Sequence, residues 1–274
     1  MYQSKLFDRK VVGITKNREG SHVGLVVHEG EIPTPTKDHD WLYNLSYKWF
    51  EEEFQDDENS ENEDKRAILA HAASMQSIIM LHDIVGYFLK DIVYAISEVQ
   101  VMPARGQRSV LVFDSNNELE VSSLEHFILV IALKNNSGTF ILDLCGAQYG
   151  FYQPISRFDE YKARGRAVGP PALFNGPGSI RYRTEHIKDE KTRRGALTRL
   201  NLEVSQKLFV GAVNWEHEYG TPIAKMLQAS PTMFENRKEG LLHYVAYEVQ
   251  ECLDKMTGAK DPFRYMGIGA PGPT

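Results

Sequence analysis

The sequence feature that most constrains the fold is a pair of apolar runs near the middle of the chain. The apolar runs lie within residues 125–133 and 139–150, and the polar tract 134–138, Lys-Asn-Asn-Ser-Gly, separates them. Asn and Gly tolerate the positive φ angles that tight hairpin turns require, so this pattern predicts a β-hairpin. Both strands are apolar on both faces, which places the hairpin in the middle of a covered sheet.

The hairpin carries two ionisable side chains, His126 on its first strand and Asp143 on its second. A turn centred on Asn135 and Asn136 places His126 opposite Cys145 and one diagonal step from Asp143. Diagonal neighbours on one face of a sheet are within reach of a histidine side chain. The predicted hairpin therefore brings these three side chains together, whereas a loop with an odd number of residues or with a bulge would separate them.

Segment 123–152 resembles the His and Asp segments of the transglutaminase-like/papain-like superfamily. Its His126 opens one strand, and Asp143 on the next strand precedes a Gln-Tyr-Gly sequence that begins at Gln148. In that superfamily the Asp orients the His, which activates a Cys at the N-terminus of an earlier helix for attack on an acyl group. The resemblance implies that His126 is the base and Asp143 its orienting partner. Gln148 and Tyr149 are then candidate substrate-binding residues.

The nucleophile of that superfamily has no counterpart upstream of His126, because the two cysteines of the chain are Cys145 and Cys252. The helical segment where the family's Cys belongs offers Ser74 or Ser77 instead, and a small serine in a helix also occurs simply as a packing residue. Cys145 is the stronger candidate nucleophile, because a thiol is easier to activate than a hydroxyl. The alternative is that Cys145 is a small core residue.

The net charge of −6 argues against nucleic acid as a partner, because nucleic-acid-binding proteins usually carry a basic face. The two cysteines are far apart and predict no disulfide framework, which favours a reducing compartment. Residues 1–10 contain no apolar core of signal-peptide length, and no later run approaches the length of a membrane span. We therefore expect a cytoplasmic protein that binds neither nucleic acid nor a membrane.

No sequence pattern predicts a metal or a cofactor. His71 and His82 lie three helical turns apart on a predicted helix, about 16 Å along its axis, which is too far for one ion. The Trp-Glu-His-Glu-Tyr run at 215–219 lacks the His-Glu-x-x-His spacing of a zinc site, and the chain has no Gly-rich phosphate loop. We expect neither a metal nor a cofactor.

Residues 1–152 are predicted to form an α+β core whose central sheet is antiparallel, with four to six strands. The acidic run 51–64 is too charged to pack and is predicted to be a surface loop. The helical N-terminal half has an aromatic stripe in its first helix. The predicted elements are a further hairpin at 10–28 whose edge is able to join the main sheet, helices at 38–54 and 66–98, and strands at 99–103 and 109–113.

Residues 153–183 are rich in Pro, Gly and Arg, which predicts a long irregular crossing. Arg164 and Arg166 are candidate substrate-binding residues, because a guanidinium group matches two oxygens of a carboxylate or phosphate. A solvated connection that pairs with the acidic surface is the alternative. Residues 184–274 are predicted to form a helical C-terminal subdomain packed on the core, with Thr184 as an N-cap. Its helices are predicted at 184–219, 222–229 and 236–256.

Three functions are compatible with these features. The first is a small-molecule-acting enzyme or pseudoenzyme on a transglutaminase-like scaffold, with the His126/Asp143 pair available for acid/base chemistry without a Cys nucleophile. The second is an acyl-transfer or hydrolytic enzyme with Cys145 or Ser74 as nucleophile. The third is a non-enzymatic protein-interaction module that docks through the acidic run and helix 38–54. The expected partner is a small-molecule or peptide ligand, and homo-oligomer formation is compatible with all three.

Overall fold

A computed structural model describes most of the chain between residues 11 and 257. The predicted aromatic helix 38–54, Arg166 and the tail from residue 258 lie outside the described residues. The described residues are 11–19, 22–29, 58–102, 108–113, 119, 125–164, 167–168, 174–189, 193–226 and 228–257.

Helices and antiparallel strands both build these parts of the chain, which confirms the predicted α+β class. The strands are β1 (Val11–Glu19), β2 (His22–Glu29), β3 (Val93–Met102), β4 (Arg108–Phe113), β5 (His126–Leu133), β6 (Thr139–Leu142), β7 (Ile155–Arg157), β8 (Ala167–Val168) and β9 (Phe174–Asn175). The α-helices are α1 (Glu58–Ala70), α2 (Ser74–Leu89), α3 (Phe158–Ala163), α4 (Ser179–Glu185), α5 (Arg193–Tyr219), α6 (Ile223–Met226) and α7 (Pro231–Thr257).

The larger sheet has six strands, in the order β7-β6-β5-β3-β8, and β9 also pairs with β3. Its described pairings are antiparallel. The predicted central hairpin is confirmed, because β5 and β6 pair with Val130 opposite Ile141, the register of a turn centred on Asn135 and Asn136. Both asparagines hold positive φ angles, 58° and 54°, as a tight turn requires.

The two faces of the larger sheet carry separate cores, because side chains alternate along each strand. On one face, the odd-numbered residues of β5 from Phe127 to Ile131 pack against Ile78 of α2. On the other face, Ile128 and its even-numbered neighbours pack against Tyr161 of α3. Helix α2 therefore covers only one of the two faces.

The first hairpin, which is confirmed as β1 and β2, forms a separate three-stranded sheet with β4 instead of joining the larger one. Strands β2 and β4 run parallel, with Leu25 beside Val110. These two residues and Ala67 of α1 belong to a buried cluster of their own. The sequence does not show this division, because a β-branched run specifies a strand but not its partner.

The single helix predicted over 66–98 is wrong. Helix α1 ends at Ala70, α2 begins at Ser74, and the chain is already extended from Val93 onward in β3. Between the two helices, Ala72 holds a φ of 53°, which a helix does not allow. Short apolar runs fit a buried strand and a buried helix equally well, so periodicity could not separate α2 from β3.

The acidic run, predicted as a loop, is helical from Glu58 onward, where α1 begins. Basic side chains of the smaller sheet neutralise its end. Lys16 Nζ lies 2.8 Å from the Asp64 carboxylate, and the buried Arg108 pairs with both Glu63 and Asp64. These ion pairs attach α1 to the smaller sheet. Because they compensate the acidic charges, this end of the acidic run forms an ordered helix.

In the described part of the crossing predicted as irregular over 153–183, the chain forms the short elements β7, α3, β8, β9 and α4. Thr184 lies inside α4 and donates its Oγ1 hydrogen to the Ile180 carbonyl at 2.9 Å, so the predicted N-cap is wrong. Helices α5 and α6 lie within their predicted ranges. Helix α7 begins at Pro231, earlier than the predicted residue 236, because proline fits the first helical turn.

Helix α2 lies between the larger sheet and the C-terminal helices. Its Met80 belongs to a buried cluster with Leu200 of α5, and its Ile84 belongs to a second cluster with Trp215 of the same helix. Trp215 has no exposed surface. Helix α5 also packs along α7, so the C-terminal helices are joined to α2 on the side of the larger sheet that carries Phe127.

We predict that Gly→Ala substitutions in α5 and α2 have opposite effects on stability. A Cβ at Gly211 would lie 2.8 Å from the Val245 Cα of α7, whereas a Cβ at Gly86 meets nothing within 4 Å. Gly211→Ala should therefore lower the free energy of unfolding by about 1–3 kcal/mol. Gly86→Ala should raise it by up to about 1 kcal/mol, because Ala favours helix. Urea unfolding measures both, and a stabilised Gly211→Ala protein would contradict the close helix contact.

Candidate functional site

The larger sheet brings His126 and Asp143 together, as the hairpin register predicts. His126 opens β5, and Asp143 directly follows β6. The Asp143 Oδ1 lies 2.9 Å from His126 Nε2, and the two residues are 4% and 1% exposed. Because β6 ends at Leu142, Cys145 makes no ladder pair with His126 and belongs instead to the turn that follows.

Gln148 occupies the second nitrogen of the imidazole. Its Nε2 lies 3.3 Å from His126 Nδ1, and its Oε1 accepts a hydrogen bond from the Ala72 backbone N–H at 3.3 Å. The amide oxygen thus faces Ala72, and the amide N–H faces the histidine. An N–H donor requires an acceptor, so Nδ1 carries no proton and Nε2 carries the hydrogen that it donates to Asp143. In this network Nε2 is the donor of the imidazole and Nδ1 is its acceptor.

The Asp143 carboxylate collects further donors from two other segments. The Cys145 backbone N–H donates to Oδ1 at 3.3 Å, and the Tyr161 hydroxyl donates to Oδ2 at 3.2 Å. A side chain at Gly146 could not fit, because its Cβ would lie 2.9 Å from Asp143 Oδ2. The buried carboxylate is therefore hydrogen-bonded through both oxygens, as burial of a charge requires.

Cys145 has the surroundings of a core thiol. It is 2% exposed and packs with Ala70, Ala73 and other buried residues. Burial raises the pKa of its thiol to about 12, a hydrogen bond with the Ser77 hydroxyl at 3.2 Å opposes the shift, and the nearby Asp143 charge adds to it. A nucleophilic cysteine needs a lowered pKa. The environment of Cys145 thus disfavours the thiolate that nucleophilic attack requires.

The candidate serines lie at the start of α2, where the Ser77 hydroxyl contacts Cys145 and not His126. The helix packs on the odd-numbered residues of β5, whereas His126 shares the even-numbered face that Tyr161 covers. Ser74 Oγ donates to the Glu125 carbonyl at 3.4 Å, and neither Ser74 nor Ser77 hydrogen-bonds the imidazole. A nucleophile must lie within hydrogen-bond reach of its base, and neither serine does.

Of the remaining candidate substrate-binding residues, only Tyr149 lies against His126 in the described part of the chain. Its ring is nearly perpendicular to the imidazole, with 5.1 Å between the centroids. Arg164 is exposed, and its guanidinium donates to Gln153 Oε1 at 3.4 Å. Arg166 lies outside the described residues. The predicted arginine contacts therefore do not reach the His126 network in the described part of the crossing.

A cavity of about 200 Å³ adjoins the Asp143 side of the network. Sequence analysis missed two of its polar residues, Arg66 and Tyr152, because neither belongs to a recognisable motif. The Arg66 guanidinium donates to the Tyr152 carbonyl at 3.1 Å and lies 5.4 Å from the centre of its ring. The Tyr152 hydroxyl is buried without a hydrogen-bond partner among the described residues. The cavity is lined by Arg66, Leu69, Ala70, Asp143, Leu144, Ala147, Phe151, Tyr152 and Pro154.

Tyr152 differs from Tyr161 in the hydrogen bonding of its hydroxyl group. Burial raises the pKa of Tyr152 to about 12, although the Arg108 and Arg66 charges oppose that shift. The phenol therefore keeps its proton and remains a donor at neutral pH. Tyr161 donates to Asp143, whereas Tyr152 has an unused donor beside the cavity. Buried hydroxyl groups are nearly always paired, so the unused one marks a position for a ligand or water.

Within the described residues, no group of three or more His, Cys, Asp or Glu side chains is arranged to hold a metal ion. No helix in those residues combines the length and the apolar character that a membrane crossing needs. No protein-family model, curated protein or solved structure matches this chain. The resemblance to the transglutaminase-like superfamily thus remains a prediction from the residues of segment 123–152.

We predict that His126→Ala strongly destabilises the fold. The substitution removes the Nε2–H donor from the buried Asp143 carboxylate and leaves a cavity in the site, which should lower the free energy of unfolding by at least about 3 kcal/mol. His217→Ala, at an exposed position of α5, is the matched control and should stay within about 0.5 kcal/mol of the wild type. Thermal and urea unfolding measure both variants. Equal stability of the two variants would rule out a structural role for the imidazole.

We also predict that native Cys145 resists alkylation. At about pH 8 a thiol with a pKa of about 12 should react with iodoacetamide roughly a thousandfold more slowly than a free thiol, because each pKa unit is tenfold in thiolate. Peptide mass spectrometry after a timed reaction separates Cys145 from Cys252. Protein unfolded in urea, in which both thiols should react fully, provides the control. Rapid labelling of Cys145 in the native protein would show that the thiol is activated.

Proposed function

We propose that this chain is a pseudoenzyme on a transglutaminase-like scaffold that binds a small molecule or a peptide. The observation that carries the proposal is that protein groups engage both imidazole nitrogens of His126, through Asp143 and Gln148. A general base needs one nitrogen directed at a substrate proton. In this network the imidazole instead donates a hydrogen bond to a buried carboxylate, so the His126/Asp143 pair stabilises the fold.

Two further features support a scaffold without acyl-transfer chemistry. The family's motif is matched at His126, Asp143 and Gln148, and a helix precedes the His strand as in the family. The possible nucleophiles are unsuited, because Cys145 is buried with a raised pKa and the Ser74 hydroxyl donates to the Glu125 carbonyl and not to the imidazole. Without an activated nucleophile, the second hypothesis has no attacking group.

The cavity beside Asp143 is the proposed binding site. Its volume of about 200 Å³ suits one side chain or the end of a peptide rather than a large cofactor. Arg66 brings a positive charge to it, and the Tyr152 hydroxyl brings a donor without a partner. Both groups donate hydrogen bonds to a negative charge, and the Asp143 carboxylate in the same lining is already paired with His126 and Tyr161. A carboxylate-bearing ligand therefore complements the site best.

The test compares acids with their amides as ligands and uses two arginine variants. We expect glutarate or a short peptide with a free C-terminal carboxylate to raise the melting temperature and to give heat in calorimetry, with the amide analogue binding about tenfold more weakly. Arg66→Gln should remove this discrimination. Arg164→Gln, at an exposed arginine outside the cavity, is the matched control and should retain it. Failure of every acid to bind would reject the ligand site.

An acid/base enzyme is the second candidate, and one observation favours it. The Gln148 amide lies a long 3.3 Å from Nδ1, whereas Asp143 fixes the tautomer that leaves Nδ1 as the acceptor. A substrate that displaced this amide would meet a ready base. In assays with ester and amide substrates, the pseudoenzyme should show no turnover above that of His126→Gln. Turnover that disappears in His126→Gln but survives in Gln148→Ala would establish the enzyme instead.

A further inference from the structure

A second and larger cavity lies on the sheet face opposite the His126 side chain. Its volume is about 540 Å³, within the range of small-molecule sites in proteins. It opens between the second half of α2 and the start of β3, with Leu129 of β5 also in its wall. Its lining is His82, Asp83, Val85, Gly86, Val93, Tyr94, Ala95, Ile96, Leu129 and Pro177.

Most of this cavity is apolar, and two of its residues favour the binding of a ligand. Gly86 contributes no side chain, and a Cβ placed there would meet no atom within 4 Å. Tyr94 is 83% exposed at the edge of the cavity, so its ring is available to cover a bound molecule. Aromatic rings contribute a large contact area to a ligand at low cost in conformational entropy. The cavity therefore suits an aromatic or branched aliphatic body.

The polar end of the cavity holds an acceptor without a hydrogen-bond donor among the described residues. Asp83 Oδ2 receives Arg181 at 2.5 Å and the Ser205 hydroxyl at 3.1 Å. The other oxygen, Oδ1, lies 3.9 Å from His82 Nε2, which is beyond hydrogen-bond reach. A donor on a ligand can approach this oxygen, because Asp83 and His82 both line the cavity.

The charge of this end is also unbalanced. The His82 ring lies between two carboxylates, because its Nδ1 is 3.7 Å from Glu98 Oε1. Glu98 is buried and accepts the backbone N–H groups of Gly178 and Ile180, each at 2.7 Å. The Arg181 guanidinium pairs with Asp83 Oδ2, whereas Glu98 has no Lys or Arg partner among the described residues. A positively charged donor is thus the complementary head group.

We propose that this cavity binds a small apolar molecule that carries a protonated amine. The hydrocarbon body lies over Gly86 against the apolar wall under Tyr94, and the ammonium group donates to Asp83 Oδ1. The site is separate from the Asp143 cavity and is lined by different residues. This second proposal can therefore be tested independently of the function proposed above.

Two probes with the same ring and opposite charge test this proposal by isothermal titration calorimetry. They are 1-naphthylmethylamine, a cation, and 1-naphthaleneacetate, an anion. We expect the amine to bind and the anion to bind at least about tenfold more weakly, because the carboxylates repel it. Equal affinity for the two probes, or no binding of the amine at about millimolar concentration, where weak ligands are still detected, would overturn the proposal.

Variants at Gly86 locate the binding. Gly86→Leu places a side chain in the empty space and should weaken amine binding at least about tenfold. Gly86→Ala, the matched control, should stay within about twofold of the wild type, because one methyl group fills little of the cavity. Tyr94→Ala, at a position too exposed to affect folding, should weaken binding even if Gly86→Leu proves unstable. Unchanged amine affinity in both Gly86→Leu and Tyr94→Ala would overturn the proposal.

Discussion

The centre of this protein depends on the hydrogen bonds that the buried Asp143 carboxylate accepts. A charge removed from water is tolerated only where donors surround it. Here the donors come from the imidazole of β5, the Cys145 backbone and the Tyr161 hydroxyl of α3. Strand, turn and helix must therefore be assembled together, and the absence of a side chain at Gly146 is a condition of that assembly. The same contacts that secure the fold leave His126 without a nitrogen directed at solvent.

The two faces of the larger sheet are covered by different elements, and this determines which groups surround His126. Helix α2 and the C-terminal helices cover the face of Phe127 and Ile131, whereas Tyr161 covers the face that His126 shares. The Ser74 and Ser77 hydroxyls at the start of α2 hydrogen-bond Glu125 and Cys145 instead of the imidazole. Gln148 lies against the imidazole instead, and its oxygen is held by the turn at Ala72. The two cavities lie at separate places, one beside Asp143 and one on the α2 face.

The residues that resemble the motif of an enzyme family also have structural roles that explain their positions. Asp143 joins two strands to the turn after them, and Gln148 ties the start of α2 to β5. Gly146 allows the backbone to approach a carboxylate closely. A motif of this kind specifies packing as well as chemistry. The two roles differ in the partner of the second imidazole nitrogen, since a catalytic His directs that nitrogen at a nucleophile or a substrate.

The sequence by itself determined what depends on neighbours in the chain. The Asn135–Asn136 turn, the β5–β6 register and the reach of His126 to Asp143 follow from alternation and turn chemistry, which act over a few residues. Only the tertiary structure decided what depends on distant partners. It separated α2 from β3, moved β4 to a second sheet beside Leu25, and turned the acidic run into a helix beside Lys16. It also filled the second imidazole nitrogen and buried Cys145, because burial and hydrogen-bond partners arise from packing between elements that the local pattern does not specify.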